Sequence, residues 1–317
     1  MSSRVKDCFF CNHKSEQIVI ILLTIYILNK SAFIFFINYY FKKHIGKYIF
    51  NQKITKDDLF WKRYFRIAKK IPLSIQNSFG EFIITTTKVS EKPLKLYVRP
   101  HSSDIKVFAQ VFSSNEYEPL INMIKNASLN GSIKYIMDAG ANVGYTSVNL
   151  NTAFPFAEFI CIEPDDGNAL QLQKNLKLNH VHNFHVIKAG LWSKNGWLSI
   201  KKDRYNGEEW GLYVVESEIE SGLKALTLQS ILQEYSWPHI DILKIDIEGG
   251  EYKLFKDEEA IRLILRKTKY LAIEIHDGLG DRQEIFSVLL SEGFELFESG
   301  ELTIATNRNF AINYNLC

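Results

Sequence analysis

Residues 136–144 read Ile-Met-Asp-Ala-Gly-Ala-Asn-Val-Gly, and this run constrains the fold more than any other part of the chain. An apolar segment ends at Asp138, a turn with Gly140 and Gly144 follows, and a stretch compatible with a helix comes next. The glycines let the backbone approach a ligand, and the N–H groups at the start of a helix can hold an anionic group. A strand, a glycine turn and a helix in this order therefore predict a nucleotide-type cradle.

A second acidic residue falls where such a cradle requires one. Glu163 ends the next apolar run, about 19 residues after Gly144, and roughly 20 is expected for a carboxylate that binds ribose hydroxyls. Dinucleotide binders place a glycine where this chain has Asn142, because their pyrophosphate needs a close backbone. S-adenosylmethionine has no pyrophosphate and does not need this glycine, so we predict it as the cofactor. The alternative function is that of a nicotinamide-dependent oxidoreductase. The predicted cofactor-binding residues are Asp138, Gly140, Asn142, Gly144, Glu163 and Asp246.

From residue 133 onward, strand-like and helix-like segments alternate, which is typical of a parallel sheet. The expected strands are 133–138, 158–163, 184–189, 240–247, 270–275, 293–298 and 301–306. The expected helices are 143–153, 167–178, 227–235, 251–265 and 281–291. Upstream we expect a basic amphipathic helix near 59–71, and a small β-rich lead-in over 80–131 with strands at 82–87, 94–98 and 107–112.

Acidic residues and one histidine follow the later strands. Ligands of parallel sheets bind beyond the carboxyl ends of the strands. Methylation of an unactivated hydroxyl needs a base, and His276 has the ordinary pKa nearest neutrality. We therefore predict Asp246, Glu248 and His276 as catalytic residues, while Asp246 could instead bind the ammonium group of the cofactor. The same three side chains with Glu274 could alternatively hold a divalent metal, but the sequence alone assigns no metal ligand.

Four motifs together resemble the FkbM family of S-adenosylmethionine-dependent methyltransferases. They are Asp-Ala-Gly-Ala-Asn-Val-Gly-Tyr-Thr-Ser (138–147), Ile-Glu-Pro (162–164), Leu-Lys-Ile-Asp-Ile-Glu-Gly-Gly-Glu (243–251) and Ile-Glu-Ile-His (273–276). The resemblance extends over about residues 94–298. It implies a class I methyltransferase fold, a Rossmann-like and mostly parallel sheet with helices on both faces. It also implies O-methylation, usually of a sugar or another small molecule. A non-catalytic binding module at a membrane is a further alternative, against which the intact Asp138 and Glu163 argue.

Residues 18–41 are apolar over a length that suits a bilayer span. Lys30 near the centre reduces the favourable insertion energy, so two short packed helices hinged at 29–31 are the alternative. More lysines follow the segment than precede it, which predicts a cytoplasmic catalytic domain. We accordingly divide the chain into a hydrophobic and basic segment, 1–79, and a methyltransferase domain, 80–317.

Composition limits the partners of the chain. A net charge of +2 argues against a dedicated nucleic-acid binder. Four cysteines are too few for a disulfide scaffold of 317 residues, which indicates a reducing compartment. We expect a small-molecule or carbohydrate acceptor as the partner, with membrane association through residues 18–41.

Overall fold

A computed structural model describes residues 56–78, 80–127, 133–202, 212–219 and 222–310. The chain divides into two compact units, Met1–Ser113 and Ser114–Cys317. The apolar segment 18–41 lies outside the described residues. Among the helices that are described, none has the length and apolar character needed to cross a membrane.

The first unit contains a small antiparallel sheet and short helices. Its elements are α1 (Lys56–Ala68), β1 (Leu73–Ser78), β2 (Glu81–Thr86), β3 (Leu94–Val98) and α2 (Asp104–Phe108), followed by a π-helical turn (Ala109–Ser113). The strands pair in the order β1-β2-β3. The ring of Phe60 on α1 stacks on Phe82 of β2 with centroids 5.2 Å apart, and Trp61 meets Phe82 edge-on at 5.3 Å. Aromatic burial therefore holds α1 against this sheet.

The strand predicted over 107–112 is wrong, because this segment is helical. Ile105, Phe108 and Phe112 are buried, and their spacing of three and four residues is the period of a helix. Asp104 fixes the start of α2, since its carboxylate accepts the backbone N–H of Arg99 at 2.9 Å. The guanidinium of Arg99 also donates to both oxygens of Asp104.

The second unit is built on a seven-stranded sheet with the order β13-β14-β12-β11-β4-β5-β6. Its strands are β4 (Tyr135–Ala139), β5 (Glu158–Ile162), β6 (Phe184–Ile187), β11 (Ile240–Ile245), β12 (Thr268–Glu274), β13 (Phe294–Ser299) and β14 (Leu302–Asn307). A smaller sheet, ordered β7-β10-β8-β9, contains β7 (Gly190–Leu191), β8 (Gly196–Lys202), β9 (Leu212–Ser217) and β10 (Leu223–Leu226). The helices are α3 (Glu118–Asn126), α4 (Tyr145–Ala153), α5 (Asp166–Leu178), α6 (Leu228–Glu234), α7 (Glu251–Lys256), α8 (Glu258–Leu265) and α9 (Arg282–Ser291).

The order of the large sheet confirms the predicted fold class. Strands β6, β5, β4, β11 and β12 run parallel, and β14 lies antiparallel between β12 and β13. This is the arrangement of class I methyltransferases. Strands β4, β5, β11 and β12 bury most of their side chains, as Ile240–Ile245 shows, because helices cover both faces of such a sheet.

The single helix predicted over 251–265 is also wrong. It is divided at Asp257 into α7 and α8. The carboxylate of Asp257 accepts the backbone N–H of Ala260 at 3.2 Å, so it caps the second helix. Such a side-chain cap satisfies an N–H group that would otherwise lack a partner.

Candidate functional site

The turn after β4 passes very close to the chain that leaves β11. Gly140 has a φ of +75°, and a Cβ at this position would lie 1.6 Å from the carbonyl oxygen of Asp246. The N–H of Asp246 donates to the carbonyl of Ala139 at 3.1 Å. Only glycine fits this conformation and this contact, so the ends of β4 and β11 form one continuous surface.

The same turn is fixed to the end of β5. The N–H groups of Gly140 and Ala141 donate to the carbonyl of Ile162 at 2.9 and 3.0 Å. Asn142 and Gly144 both have positive φ values, 49° and 81°, and Gly144 is the N-cap of α4. Gly144 has no side chain with which to cap α4, and among the described residues no side-chain cap is found there, so the partial positive charge of that terminus can attract an anionic group.

Glu163 follows β5 and faces this turn. Its side chain is 5% exposed, and its two oxygens accept the N–H groups of Asn142 at 2.8 Å and Asp165 at 3.0 Å. Burial raises the pKa of Glu163, and the backbone hydrogen bonds oppose that rise. The carboxylate is thus held beside the turn, at the edge of the sheet formed by the carboxyl ends of the parallel strands, where Asp138 also lies.

Lys244, on β11, is the cation at the centre of this edge. Its buried Nζ donates to the carbonyl of Gly140 at 2.7 Å and lies 3.3 Å from Asp138 and 3.4 Å from Asp246. Burial opposes the charge of Lys244, but the carboxylates of Asp246 and Asp138 outweigh burial and raise its pKa well above the ordinary value. Asp138 also accepts the hydroxyl of Ser147 at 2.6 Å. Lys244 therefore joins the predicted residues of β4 to those of β11.

The predicted catalytic residues come together beyond β11 and β12. One ligand atom each of Asp246, Glu248 and His276 lies within 4.8 Å of the others. Nε2 of His276 is 3.5 Å from Glu248 and 3.7 Å from Glu274. Nδ1 of His276 is 3.3 Å from Glu251. Glu251, followed by the other carboxylates, raises the pKa of His276 to about 9, so the imidazole carries its proton at neutral pH.

Two further carboxyl groups titrate closer to neutrality. Burial, then repulsion from Asp246, raises the pKa of Glu116 to about 7 and that of Glu274 to about 8. Such groups suit proton transfer near pH 7. From the sequence, Glu274 is expected only as a possible metal ligand, and no sequence pattern indicates a role for Glu116. Lys244 does leave a signal, since it is the one basic residue in the apolar run 240–245.

The motifs that form this edge match a known family. The family described as "Methyltransferase FkbM domain" matches residues 138–296, about half of the chain. The chain belongs to this family. The resemblance seen in the sequence is thereby confirmed, and the FkbM-family protein is a methyltransferase.

Two relatives of this chain are also named as methyltransferases. The FkbM-family protein is 24% identical to "Methyltransferase sdnD" of Sordaria araneosa over 223 residues, which are 60% of this chain and 82% of that protein. It is 22% identical to "Methyltransferase 1" of Beauveria bassiana (strain ARSEF 2860) over 182 residues, 50% of this chain and 72% of that protein. A crystal structure of methyltransferase FkbM from Methylobacillus flagellatus KT aligns with a TM-score of 0.40 and 15% identity. That alignment covers 78% of this chain and 59% of the other.

Proposed function

We propose that this protein is an S-adenosylmethionine-dependent O-methyltransferase that acts on a hydroxyl of a sugar, a glycolipid or another small molecule. The observation that carries the proposal is the buried Glu163 carboxylate held against the Gly140–Gly144 turn. A methyltransferase needs a methyl donor, and these groups suit the polar parts of S-adenosylmethionine.

The groups at this edge match the cofactor in charge and hydrogen-bonding type. Glu163 offers carboxylate oxygens for ribose hydroxyls, which are donors. The amino terminus of α4, without a side-chain cap, suits the methionine carboxylate. Asp138 and Asp246 are the nearby acids that could accept the methionine ammonium group. When bound, the cofactor supplies an electrophilic methyl group on a sulfonium sulfur.

The residues beyond β11 and β12 would remove the proton from the acceptor hydroxyl. The bound cofactor would supply its methyl group to the acceptor oxygen, and the electron pair of the broken carbon–sulfur bond would stay on sulfur. The hydroxyl proton passes to a carboxylate of this edge. Glu274 and Glu116 have pKa values near neutrality, where a general base is most effective. His276 is protonated at neutral pH and must lose that proton before it can act as the base.

Two glutamates at opposite ends of β5 provide the test. Glu163 follows the carboxyl end of β5, whereas Glu158 begins the same strand at the opposite edge of the sheet. A hydrogen bond to a charged group contributes about 1.5–3 kcal/mol, so Glu163→Gln should weaken binding of S-adenosylmethionine about 10- to 100-fold by calorimetry. Glu158→Gln should bind like the wild type. Equal affinity of folded Glu163→Gln and wild type would contradict the proposed cofactor site.

A further inference from the structure

The edge beyond β11 and β12 has more acidic than basic groups. Asp246, Glu248 and Glu274 lie there, and Glu248 and Glu274 are 3.5 and 3.7 Å from Nε2 of His276. The cations that face them are Lys244, already in contact with Asp138, and His276. A bound cation would compensate this excess of negative charge.

Three of these side chains have the chemistry and spacing of metal ligands. The ligand atoms of Asp246, Glu248 and His276 all lie within 4.8 Å of one another. An ion that binds oxygen and nitrogen at ~2.0–2.2 Å holds three ligand atoms about 3–4 Å from one another, about 1 Å closer than the limit seen here. Small side-chain rotations would therefore bring all three onto one ion, and Glu248 is exposed enough to move.

Glu251 provides an independent observation. Its side chain is fully buried, and burial is unfavourable for a carboxylate oxygen that has no hydrogen-bond partner. Oε1 accepts the N–H of Ile247 at 2.9 Å and lies 3.3 Å from Nδ1 of His276, while Oε2 has no hydrogen-bond partner among the described residues. A carboxylate beside Nδ1 favours a proton on that nitrogen, so that Nε2 can bind a metal when the ion displaces its proton, as in carboxylate–histidine–metal groups. Nε2 of His276 indeed faces Glu248 and Glu274.

We infer that Asp246, Glu248 and His276 form a divalent cation site, in which Glu251 is a positioning residue for His276. Two carboxylates and one imidazole favour a first-row transition ion such as Mn²⁺ over Mg²⁺, which prefers oxygen ligands. What the ion would do rests on the proposed function. It would coordinate the acceptor oxygen and lower the pKa of that hydroxyl, so that a nearby carboxylate could take the proton.

Titration of the full-length protein with Mn²⁺, followed by electron paramagnetic resonance, tests the site directly. Free Mn²⁺ gives a strong signal that decreases on binding, and we expect one bound ion per chain. Loss of a carboxylate ligand in Glu248→Gln should weaken this binding at least tenfold. Glu234→Gln is the matched control, because Glu234 ends α6 just before β11 begins, at the other edge of the sheet. Glu251→Gln should weaken Mn²⁺ binding about 10- to 100-fold if it acts through His276.

Two results would overturn the inference. One is a wild-type protein that leaves the Mn²⁺ signal unchanged, which is also the result expected of a site for an organic ammonium group. The other is equal Mn²⁺ affinity in Glu248→Gln and Glu234→Gln. Calorimetry of S-adenosylhomocysteine with the wild-type protein in EDTA tests the proposed function separately. A failure to bind Mn²⁺ therefore does not contradict the proposed cofactor site, and a failure to bind S-adenosylhomocysteine does not contradict the cation site.

Discussion

Replacing Gly140 with alanine tests how closely the ends of β4 and β11 approach each other. The new Cβ would lie 1.6 Å from the Asp246 carbonyl oxygen, so the two segments must separate by about 1.4 Å to reach even a tight contact of 3.0 Å. The left-handed conformation adds a cost of roughly 1–2 kcal/mol for a non-glycine residue. Overpacking typically costs a further ~1–3 kcal/mol. We therefore expect Gly140→Ala to lower the free energy of unfolding by about 2–5 kcal/mol.

Gly300 is the matched control for the backbone contribution. It lies in the turn between β13 and β14 with a φ of +64°, and a Cβ there would meet nothing within 4 Å. Gly300→Ala should therefore lose only the conformational part, roughly 1–2 kcal/mol. The difference between the two variants measures the contact between Gly140 and Asp246.

Urea unfolding of the full-length variants, followed by tryptophan fluorescence, gives both values. An unchanged slope with a lower midpoint would show that stability, and not the extent of unfolding, has changed. Equal losses in Gly140→Ala and Gly300→Ala would refute the reasoning, because the close approach would then have no energetic consequence.

Three other changes should have measurable effects. Burial and Asp246 raise the pKa of Glu274 to about 8 from an ordinary value near 4.5, so the stability it contributes is complete below pH 4.5 and is lost as the pH rises through 8. In urea titrations, Glu274→Gln should match wild type at low pH and exceed it at pH 9, whereas a wild-type-like pH dependence would contradict the raised pKa. Lys244→Met leaves two buried or partly buried carboxylates without their cation and should cost about 3–5 kcal/mol in the same titrations. Adding Asp138→Asn to Lys244→Met should recover part of the lost stability. No recovery would argue against a stabilising ion pair between Lys244 and Asp138. Full-length protein should remain with membranes after carbonate extraction, and protein that starts at Lys56 should not; release of both would favour packed helices at 18–41.

Parallel pairing in the large sheet follows from the alternation of strands and helices, whereas the class I methyltransferase fold is what the resemblance to the FkbM family implies. Whether a single segment forms a helix or a strand is harder to predict. Val107–Phe112 has the β-branched and aromatic residues of a strand, but Ile105, Phe108 and Phe112 have the spacing of a helix face. The helix is favoured by the burial of these three side chains and by the hydrogen bonds between Arg99 and Asp104 at the start of α2.

The site is predictable where its residues are close in sequence to a strand end. Asp138, Glu163 and Asp246 occupy such positions, and their roles in binding stay predictions. Glu116 and Glu251 acquire their properties from distant groups. Burial, then repulsion from Asp246 and Glu301, raises the pKa of Glu116, and no local sequence pattern reveals that these carboxyl groups interact.

Strand β4, the fifth of the seven strands in the large sheet, acquires its two neighbours at very different times during synthesis. On one side β4 pairs with β5, which is close in sequence. On the other side it pairs with β11, where Lys244 follows Ala139 by 105 residues. At about 5–20 residues per second, the ribosome needs roughly 5–20 s to produce that partner. Until then the hydrogen-bonding edge of β4 is open to other strands, so the interval after β5 emerges is when the nascent chain is most exposed to aggregation.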